Sequence, residues 1–242
     1  MAAKTIATAF FFCMLSAASS AGEWPSNISV HGNFQRMFHT GDVSGKIALA
    51  SVQFFASTYG VGALAGLQGE ILVWEGSVLV TPGESVSGST QPPRADDQAA
   101  LLITAQVKDW EGLQVPSDLT PAELERFLID AASSRGIDIK KPFPFLVKGE
   151  ITDYSWHVVT GAAKRHGNEA IHQQGHASNR IFSGGETRGK LVGFYSAEEF
   201  EGVISHQGER VHIHYADDDM KMSGHLDNFN IRKGATLLLP KR

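Results

Sequence analysis

Short runs of hydrophobic residues, bounded by glycine or proline, recur along most of the chain. Their content of Val, Ile, Leu and aromatic residues is typical of β-strands, where branched and aromatic side chains pack well. The pattern predicts strands at residues 46–55, 70–80, 143–154, 190–195, 210–215 and 235–239.

Helical signals are fewer. Thr120, Pro121 and Glu123 have the spacing of a capping box with proline at the first helical position, and apolar residues continue at helical spacing to Ala131. A second, short helix is predicted near Ser196, which has an acidic residue three positions later. Strands therefore outnumber helices.

Two stretches lack hydrophobic periodicity. Residues 81–98 are mostly turn-forming, and residues 164–185 are polar, so both are predicted to be surface loops. The resulting fold class is α+β and β-rich, with mixed or antiparallel sheets and few helices. We expect two lobes, at residues 22–118 and 119–242, with the boundary near residues 115–120.

Composition and charge narrow the classes of function. The 242 residues are 42% hydrophobic and 19% charged, which is an ordinary balance for a globular protein with a sizeable core. The net charge is −5 and lysine and arginine are scattered, so no basic patch would attract phosphate backbones. Nucleic acid is therefore excluded as an expected partner.

Residues 1–21 resemble a secretory signal peptide. Lys4 precedes an apolar run of about 11 residues, and small residues then lead to a cleavage point near Ala21. A membrane anchor is the alternative, but a span needs about 20 apolar residues. We expect a secreted or periplasmic protein that leaves the membrane after cleavage. Cys13 lies in this segment, so the mature chain would have no thiol.

The most informative motif is the pair His212 and His214, followed by His225. Alternate residues of a strand share a face, so the first two imidazoles point the same way and can converge on one ion. His225 can return on the next strand and complete a three-histidine site for a divalent cation, expected to be zinc. The alternative is that the pair consists of half-exposed strand residues without a metal.

Other polar residues near this motif have simpler explanations. Residues 217–219 are all aspartate and form an acidic run that fits a solvated turn between two strands. His31 and His39 are isolated, and isolated histidines are commonly partly buried or surface residues. Neither group is included in the predicted site.

Five blocks of the chain, including the three histidines, resemble the α-acetolactate decarboxylase family. They are residues 31–49, 59–76, 148–157, 189–203 and 211–231. The resemblance implies a two-lobed, β-rich fold and a zinc ion bound by His212, His214 and His225. It also implies decarboxylation of 2-acetolactate to acetoin and carbon dioxide.

The resemblance assigns catalytic residues as well. The glutamate that matches Glu70 lies in the metal cavity of the family, so Glu70 is the expected proton donor to the substrate carbon. Taken without the resemblance, Glu70 is a charged residue at the start of a strand, where such residues are commonly solvated. An arginine of the family's cavity aligns with His157, which is expected either to shuttle protons or to serve in ordinary packing.

Two further positions depart from the family. Residues 63–65 are apolar where the family often has threonine or asparagine near the metal, and no residue matches a second glutamate that the family contributes from its C-terminal end. Three functions therefore stay open: acetolactate decarboxylase, a related metal-dependent lyase, or a non-catalytic periplasmic binding protein. The expected partner is a small 2-hydroxy-3-oxo acid, and a homodimer is one assembly that the sequence allows.

Overall fold

The protein is described by a computed structural model over residues 27–161 and 178–241. The predicted signal peptide and residues 164–177 of the second predicted loop lie outside these described residues. The described chain forms two antiparallel β-sheets of six strands each. Within the same ranges, neither α-helix is long and apolar enough to cross a membrane.

The first sheet contains the strands up to Gln106, in the order β1, β6, β3, β4, β5, with β2 beside β6. These strands are β1 (Ile28–His31), β2 (Ile47–Ala48), β3 (Thr58–Leu64), β4 (Gly69–Trp74), β5 (Ser77–Pro82) and β6 (Gln98–Gln106). All seven residues of β3 and all six of β4 are buried, because the first sheet is covered on both faces in its centre.

The second sheet begins at Trp110 and follows the order β11, β10, β9, β8, β12, β7. Its strands are β7 (Trp110–Gln114), β8 (Phe143–Val159), β9 (Asn179–Tyr195), β10 (Val211–Asp217), β11 (Ser223–Ile231) and β12 (Thr236–Pro240). Strand β11 pairs with β8 as well as with β10, so β8, β9, β10 and β11 close into a ring. This closure brings the end of β8 beside the start of β11.

In the part of the chain that the structure describes, two α-helices accompany the sheets. Helix α1 (Phe34–Thr40) is capped by Asn33 and ends at Gly41, whose φ of 67° is favourable for glycine. Helix α2 (Pro121–Ser134) has the complete capping box at Thr120 and Glu123, which confirms that prediction. Single 3-10 turns occur at Leu49–Ser51, Ala65–Leu67 and Glu198–Phe200. The last of these is the short helix predicted near Ser196.

The hydrophobic core extends from one sheet to the other. Leu72 and Ile103 of the first sheet belong to the same buried cluster as Leu146 and Phe194 of the second. Helix α2 packs into a separate cluster that belongs to the second sheet. Burial of this apolar surface is the main force that holds the two sheets together.

Three predicted elements differ from the structure. Only Ile47–Ala48 of the predicted strand 46–55 is paired as a strand, because the chain then turns and the Ser51 hydroxyl donates to the Ala48 carbonyl at 2.7 Å. The predicted strand 70–80 is a hairpin of β4 and β5, joined at Glu75 and Gly76, both with positive φ. Residues 179–185 of the second predicted loop are strand, since they pair with β8.

Candidate metal centre and active site

His212 and His214 of β10 face each other in the protein interior. Their side chains are 2% and 1% exposed, and their Nε2 atoms lie 3.2 Å apart. Two nitrogens at 2.0 to 2.1 Å from one tetrahedral zinc ion would be separated by roughly 3.3 Å. The pair therefore has the separation that two ligands of one cation require.

The protonation of this pair also suits a cation. Nδ1 of His212 donates to the carbonyl oxygen of Ile204 at 2.8 Å, which leaves the lone pair of the ring on Nε2. Burial and the neighbouring imidazoles hold the pKa of both His212 and His214 well below 6.5, so both rings are neutral. Nδ1 of His214 is buried without a hydrogen-bond partner among the described residues. Neutral imidazole is the form that binds metals.

His225 joins the pair from the neighbouring strand β11. It is the direct cross-strand partner of His214, and its ring centroid lies 5.1 Å from that of His212 and 5.6 Å from that of His214. The structure thus brings the three predicted metal ligands together. Their residue types, separations and neutral pair fit a divalent cation.

His157 extends the cluster on the side of β8. It is the cross-strand partner of His225, and the two ring centroids are 4.8 Å apart. Nδ1 of His157 lies 2.7 Å from Oδ1 of Asp227, and Nδ1 of His225 lies 3.4 Å from the same oxygen. His157, His225 and Asp227 each offer a ligand atom, and these atoms lie within 4.8 Å of one another.

Asp227 is a residue that sequence reasoning missed. It stands two positions after His225 in β11, within an irregularity of the pairing with β8, so the spacing of a regular strand does not apply to it. No local signal in the sequence identified Asp227. Burial raises the pKa of the Asp227 carboxyl group, but contacts with His157 and His225 lower it more, so the group is ionised.

The pKa of His157 is shifted in the opposite direction to those of His212 and His214. Burial lowers it, but the hydrogen bond to Asp227 and, to a smaller extent, the carboxyl group of Glu70 raise it more, so the net pKa lies above its usual value. The side chain of His157 is 13% exposed. His157 is therefore a candidate for carrying a positive charge at the edge of the cluster.

Glu70 is the contribution of the first sheet to the cluster. It is 3% exposed, its Oε1 accepts a hydrogen bond from the Val159 N–H at 3.2 Å, and its Oε2 lies 3.6 Å from Nε2 of His214. Burial raises the pKa of Glu70, although the fields of His157 and His225 oppose the shift. The side chain is thus buried in the cluster rather than solvated.

The backbone around Glu70 explains its position. Gly69 has a φ of 148°, and a Cβ atom there would lie 2.4 Å from the Thr81 carbonyl oxygen, so glycine lets β4 and β5 approach closely. Ala63 of β3 is the cross-strand partner of Glu70 and shares its face. The neighbour of the carboxyl group on this side is therefore apolar.

His206 is a second residue that sequence reasoning missed. It lies in the segment between the 3-10 turn at Glu198–Phe200 and β10, where no periodic pattern drew attention to it. Its ring centroid is 4.6 Å from that of Phe34 and 5.9 Å from that of His225. Burial, with the nearby imidazoles, lowers the pKa of His206 to about 4, so it is neutral.

A cavity of about 620 Å³ lies elsewhere, along the 3-10 turn that follows β3 and the segment that follows β5. Gln68, Glu84 and Arg94 are among its lining residues, and none of the predicted site residues lines it. We place the chemistry at the imidazole cluster, because the converging ligand atoms and the buried carboxyl group lie there.

Imidazoles that converge beside a buried carboxyl group, between two antiparallel sheets, form the kind of site that metal-dependent enzymes use. The family model of alpha-acetolactate decarboxylase matches residues 30–239, and the chain belongs to this family of carboxy-lyases. None of the curated protein sequences compared with the chain matches it.

Solved structures of the family share the fold. Acetolactate decarboxylase from Bacillus subtilis subspecies spizizenii aligns with a TM-score of 0.71 and 17% identity, over 90% of this chain and 87% of that chain. The enzyme from Bacillus subtilis strain 168 gives 0.72 and 16%, over 90% and 86%. A Staphylococcus aureus protein of unknown function, described as similar to the enzyme, gives 0.66 and 15%, over 88% and 85%.

Proposed function

We propose that this protein is a decarboxylase that depends on a divalent cation, expected to be zinc, and converts 2-acetolactate to acetoin and carbon dioxide. The observation that carries the proposal is the position of Glu70, a buried carboxyl group 3.6 Å from Nε2 of His214. A proton donor and a set of cation ligands are thereby adjacent, and family membership supplies the reaction class.

His212, His214 and His225 would hold the cation. A bound divalent cation supplies Lewis acidity that stabilises negative charge on the oxygens of the substrate. The protein contributes the fixed geometry, because the Nδ1–H group of His212 is anchored on the Ile204 carbonyl and its ring cannot turn freely.

Glu70 would deliver the proton that completes the reaction. Cleavage of the bond to the carboxylate releases carbon dioxide and leaves the bonding electron pair on the substrate carbon. That carbon takes a proton from Glu70, and Glu70 is then reprotonated from water, so atoms and charge balance. Because Oε1 accepts the Val159 N–H, Oε2 is the oxygen that is free to carry the proton.

His157 would contribute a hydrogen bond to the substrate. The resemblance aligns it with an arginine of the family, and an imidazole offers one donor per ring nitrogen where guanidinium offers a bidentate fork. With Nδ1 occupied by Asp227, His157 has one remaining nitrogen for the carboxylate or hydroxyl group of the substrate. Substrate recognition here thus relies on a single hydrogen bond at this position.

A second candidate is decarboxylation of another 2-hydroxy-3-oxo acid. Two features favour it: the resemblance aligns His157 with the arginine of the family, and Ala63 is the apolar neighbour of Glu70. Both changes alter how the substrate is recognised and leave the proton donor in place. A less polar acid than acetolactate would suit these neighbours better.

The test is an assay of the purified, zinc-loaded chain with racemic 2-acetolactate. We expect acetoin and carbon dioxide to form in equal amounts, faster than the spontaneous reaction, with chelator-treated protein as the control. A panel of 2-hydroxy-3-oxo acids, followed by carbon dioxide release, decides between the two candidates. Stoichiometric cation with no turnover on any of these acids would contradict both and would leave a non-catalytic binding protein.

The cellular location is part of the proposal. Residues 1–21 have the composition of a cleavable signal peptide, which would direct the chain to the periplasm or outside the cell. Determination of the N-terminus of the protein recovered from the exported fraction tests this. A mature chain that begins near residue 22 is expected, and a full-length chain retained in the cytoplasm would refute export.

A further inference from the structure

The carboxylate of Asp227 contacts two imidazoles through the same oxygen. Oδ1 lies 2.7 Å from Nδ1 of His157, which is a hydrogen bond, and 3.4 Å from Nδ1 of His225. Nδ1 of His225 is buried and forms no hydrogen bond within the described residues, so the charge of the carboxylate acts on it across this distance. The ring centroids of these two histidines are 4.8 Å apart. Asp227 therefore lies on the Nδ1 side of both rings.

The first of these distances distinguishes a hydrogen bond from shared coordination. A nitrogen and an oxygen that both bind one tetrahedral cation at about 2.0 to 2.1 Å would be separated by roughly 3.3 Å. The observed 2.7 Å is shorter, and it is the ordinary length of a charge-assisted hydrogen bond between N–H and a carboxylate. Asp227 and Nδ1 of His157 are therefore hydrogen-bond partners and not two ligands of one ion. The 3.4 Å between Oδ1 and Nδ1 of His225 matches the separation of two ligands, so the Asp227→Asn variant below decides the role of Asp227 there.

The local backbone brings Asp227 into this position. Leu226 pairs with Trp156 and Asn228 pairs with Ser155, so Asp227 is an additional residue in β11 with no partner on β8. A bulge of this kind changes the direction of a side chain relative to a regular strand, and such bulges are common beside active sites. The carboxylate consequently reaches a histidine of each of the two strands.

We propose that Asp227 is a positioning residue, which holds His157 through its hydrogen bond and His225 through its charge in the tautomer with the proton on Nδ1, and so leaves Nε2 of both rings free to bind. Through His225 it supports cation binding, and through His157 it supports contact with the substrate. The substrate part of this inference rests on the proposed function. The cation part requires only that His225 is a ligand.

The test uses purified full-length protein without substrate. Nitrogen-15 NMR of the histidine side chains reports which ring nitrogen carries the proton. In the wild type we expect Nδ1–H for His157 and His225, and in Asp227→Ala a shift of both rings toward Nε2–H. Zinc affinity, measured by competition with a chelating indicator, should fall about 10-fold to 100-fold in Asp227→Ala, as is typical when the hydrogen-bond partner of a ligand is removed.

Two further variants make the result specific. Asp219→Ala removes the same negative charge from an exposed aspartate that pairs with Lys221, and it should leave tautomers and affinity unchanged. Asp227→Asn keeps a carbonyl oxygen that can accept from Nδ1–H, so it should stay within about threefold of the wild type in affinity.

Three outcomes would overturn the inference. In the first, both rings of Asp227→Ala have the same tautomers as in the wild type, and this variant binds zinc as tightly as the Asp219→Ala control does. In the second, Asp227→Asn loses as much affinity as Asp227→Ala, which would make Asp227 a direct ligand. In the third, the wild type has Nε2–H rings whether or not it binds zinc. None of these results depends on turnover, so failure of the proposed reaction is distinguishable from failure of this inference.

Discussion

The two halves of the imidazole cluster differ in burial and in partners. His212 and His214 of β10 are buried, and Nδ1 of His212 donates to the backbone carbonyl of Ile204. His157 and His225 lie at the edge, with side chains 13% and 14% exposed, and both contact the carboxylate of Asp227. The inner half, His212 and His214, therefore has a neutral partner, the Ile204 carbonyl. The outer half, His157 and His225, has an anionic partner, Asp227.

This difference has an electrostatic consequence. Burial lowers the pKa of His212 and His214, so these rings stay neutral and suit a cation. The hydrogen bond with the Asp227 carboxylate raises the pKa of His157 and favours a positively charged ring. One cluster of like side chains thus has two electrostatic environments, and the partner of each ring decides which.

The largest effect is expected from a change to the inner half. In His214→Ala, one of the two facing nitrogens is lost. Zinc affinity should fall by more than about 100-fold, the upper end of the loss that is typical when only the hydrogen-bond partner of a ligand is removed. Turnover should fall to the spontaneous background. The measurements are zinc titration with a chelating indicator and the acetoin assay.

The control for this prediction is His39→Ala, which removes an exposed histidine from the last turn of α1. Thermal unfolding of both variants shows whether the fold survives. If folded His214→Ala binds zinc as tightly as His39→Ala does, the inner half is not the cation site and the contrast between the halves fails.

Glu70→Gln should have the second largest effect. The side chain keeps its shape but has no acidic proton, so turnover should fall by about 100-fold to 10,000-fold, the usual contribution of a general acid. Zinc affinity should change only a few-fold, because glutamine leaves the histidines in place. Turnover close to that of the wild type would mean that another group delivers the proton.

Much of the fold was predictable because its signals are local. The strands at β8, β10 and β12 and the capping box of α2 follow from hydrophobic patterning and side-chain hydrogen bonds within a few residues. The hairpin of β4 and β5 was missed because both strands are hydrophobic and only Glu75 and Gly76 separate them. A buried hairpin and a single long strand have the same hydrophobic pattern.

The site was predictable only in part, for the same reason. His212 and His214 share a strand, so their convergence follows from the alternation of side chains. The contact of His157 with Asp227 depends on pairing between β8 and β11 and on a bulge, neither of which has a local signature. Asp227 and His206 were missed because only tertiary structure brings them to the other histidines.

The smallest effect is expected from His157→Arg, which restores the residue type that the family has at this position. Guanidinium keeps its charge at all relevant pH values and offers a fork to a carboxylate. The KM for acetolactate should fall by up to about tenfold, equivalent to about 1.4 kcal/mol, with kcat changed less. The KM should also vary less between about pH 6 and 8, because an imidazole loses its charge as pH rises through its pKa.

The matched comparison is His157→Gln, which is neutral at every pH and keeps a hydrogen-bond donor. If His157 serves the substrate carboxylate, the order of KM should be arginine below histidine and histidine below glutamine, with zinc affinity within a few-fold in all three. Equal KM values across the series would show that the outer half does not contact the carboxylate. In that case Asp227 would act on the cation alone, through His225, and both halves of the cluster would serve a single ion.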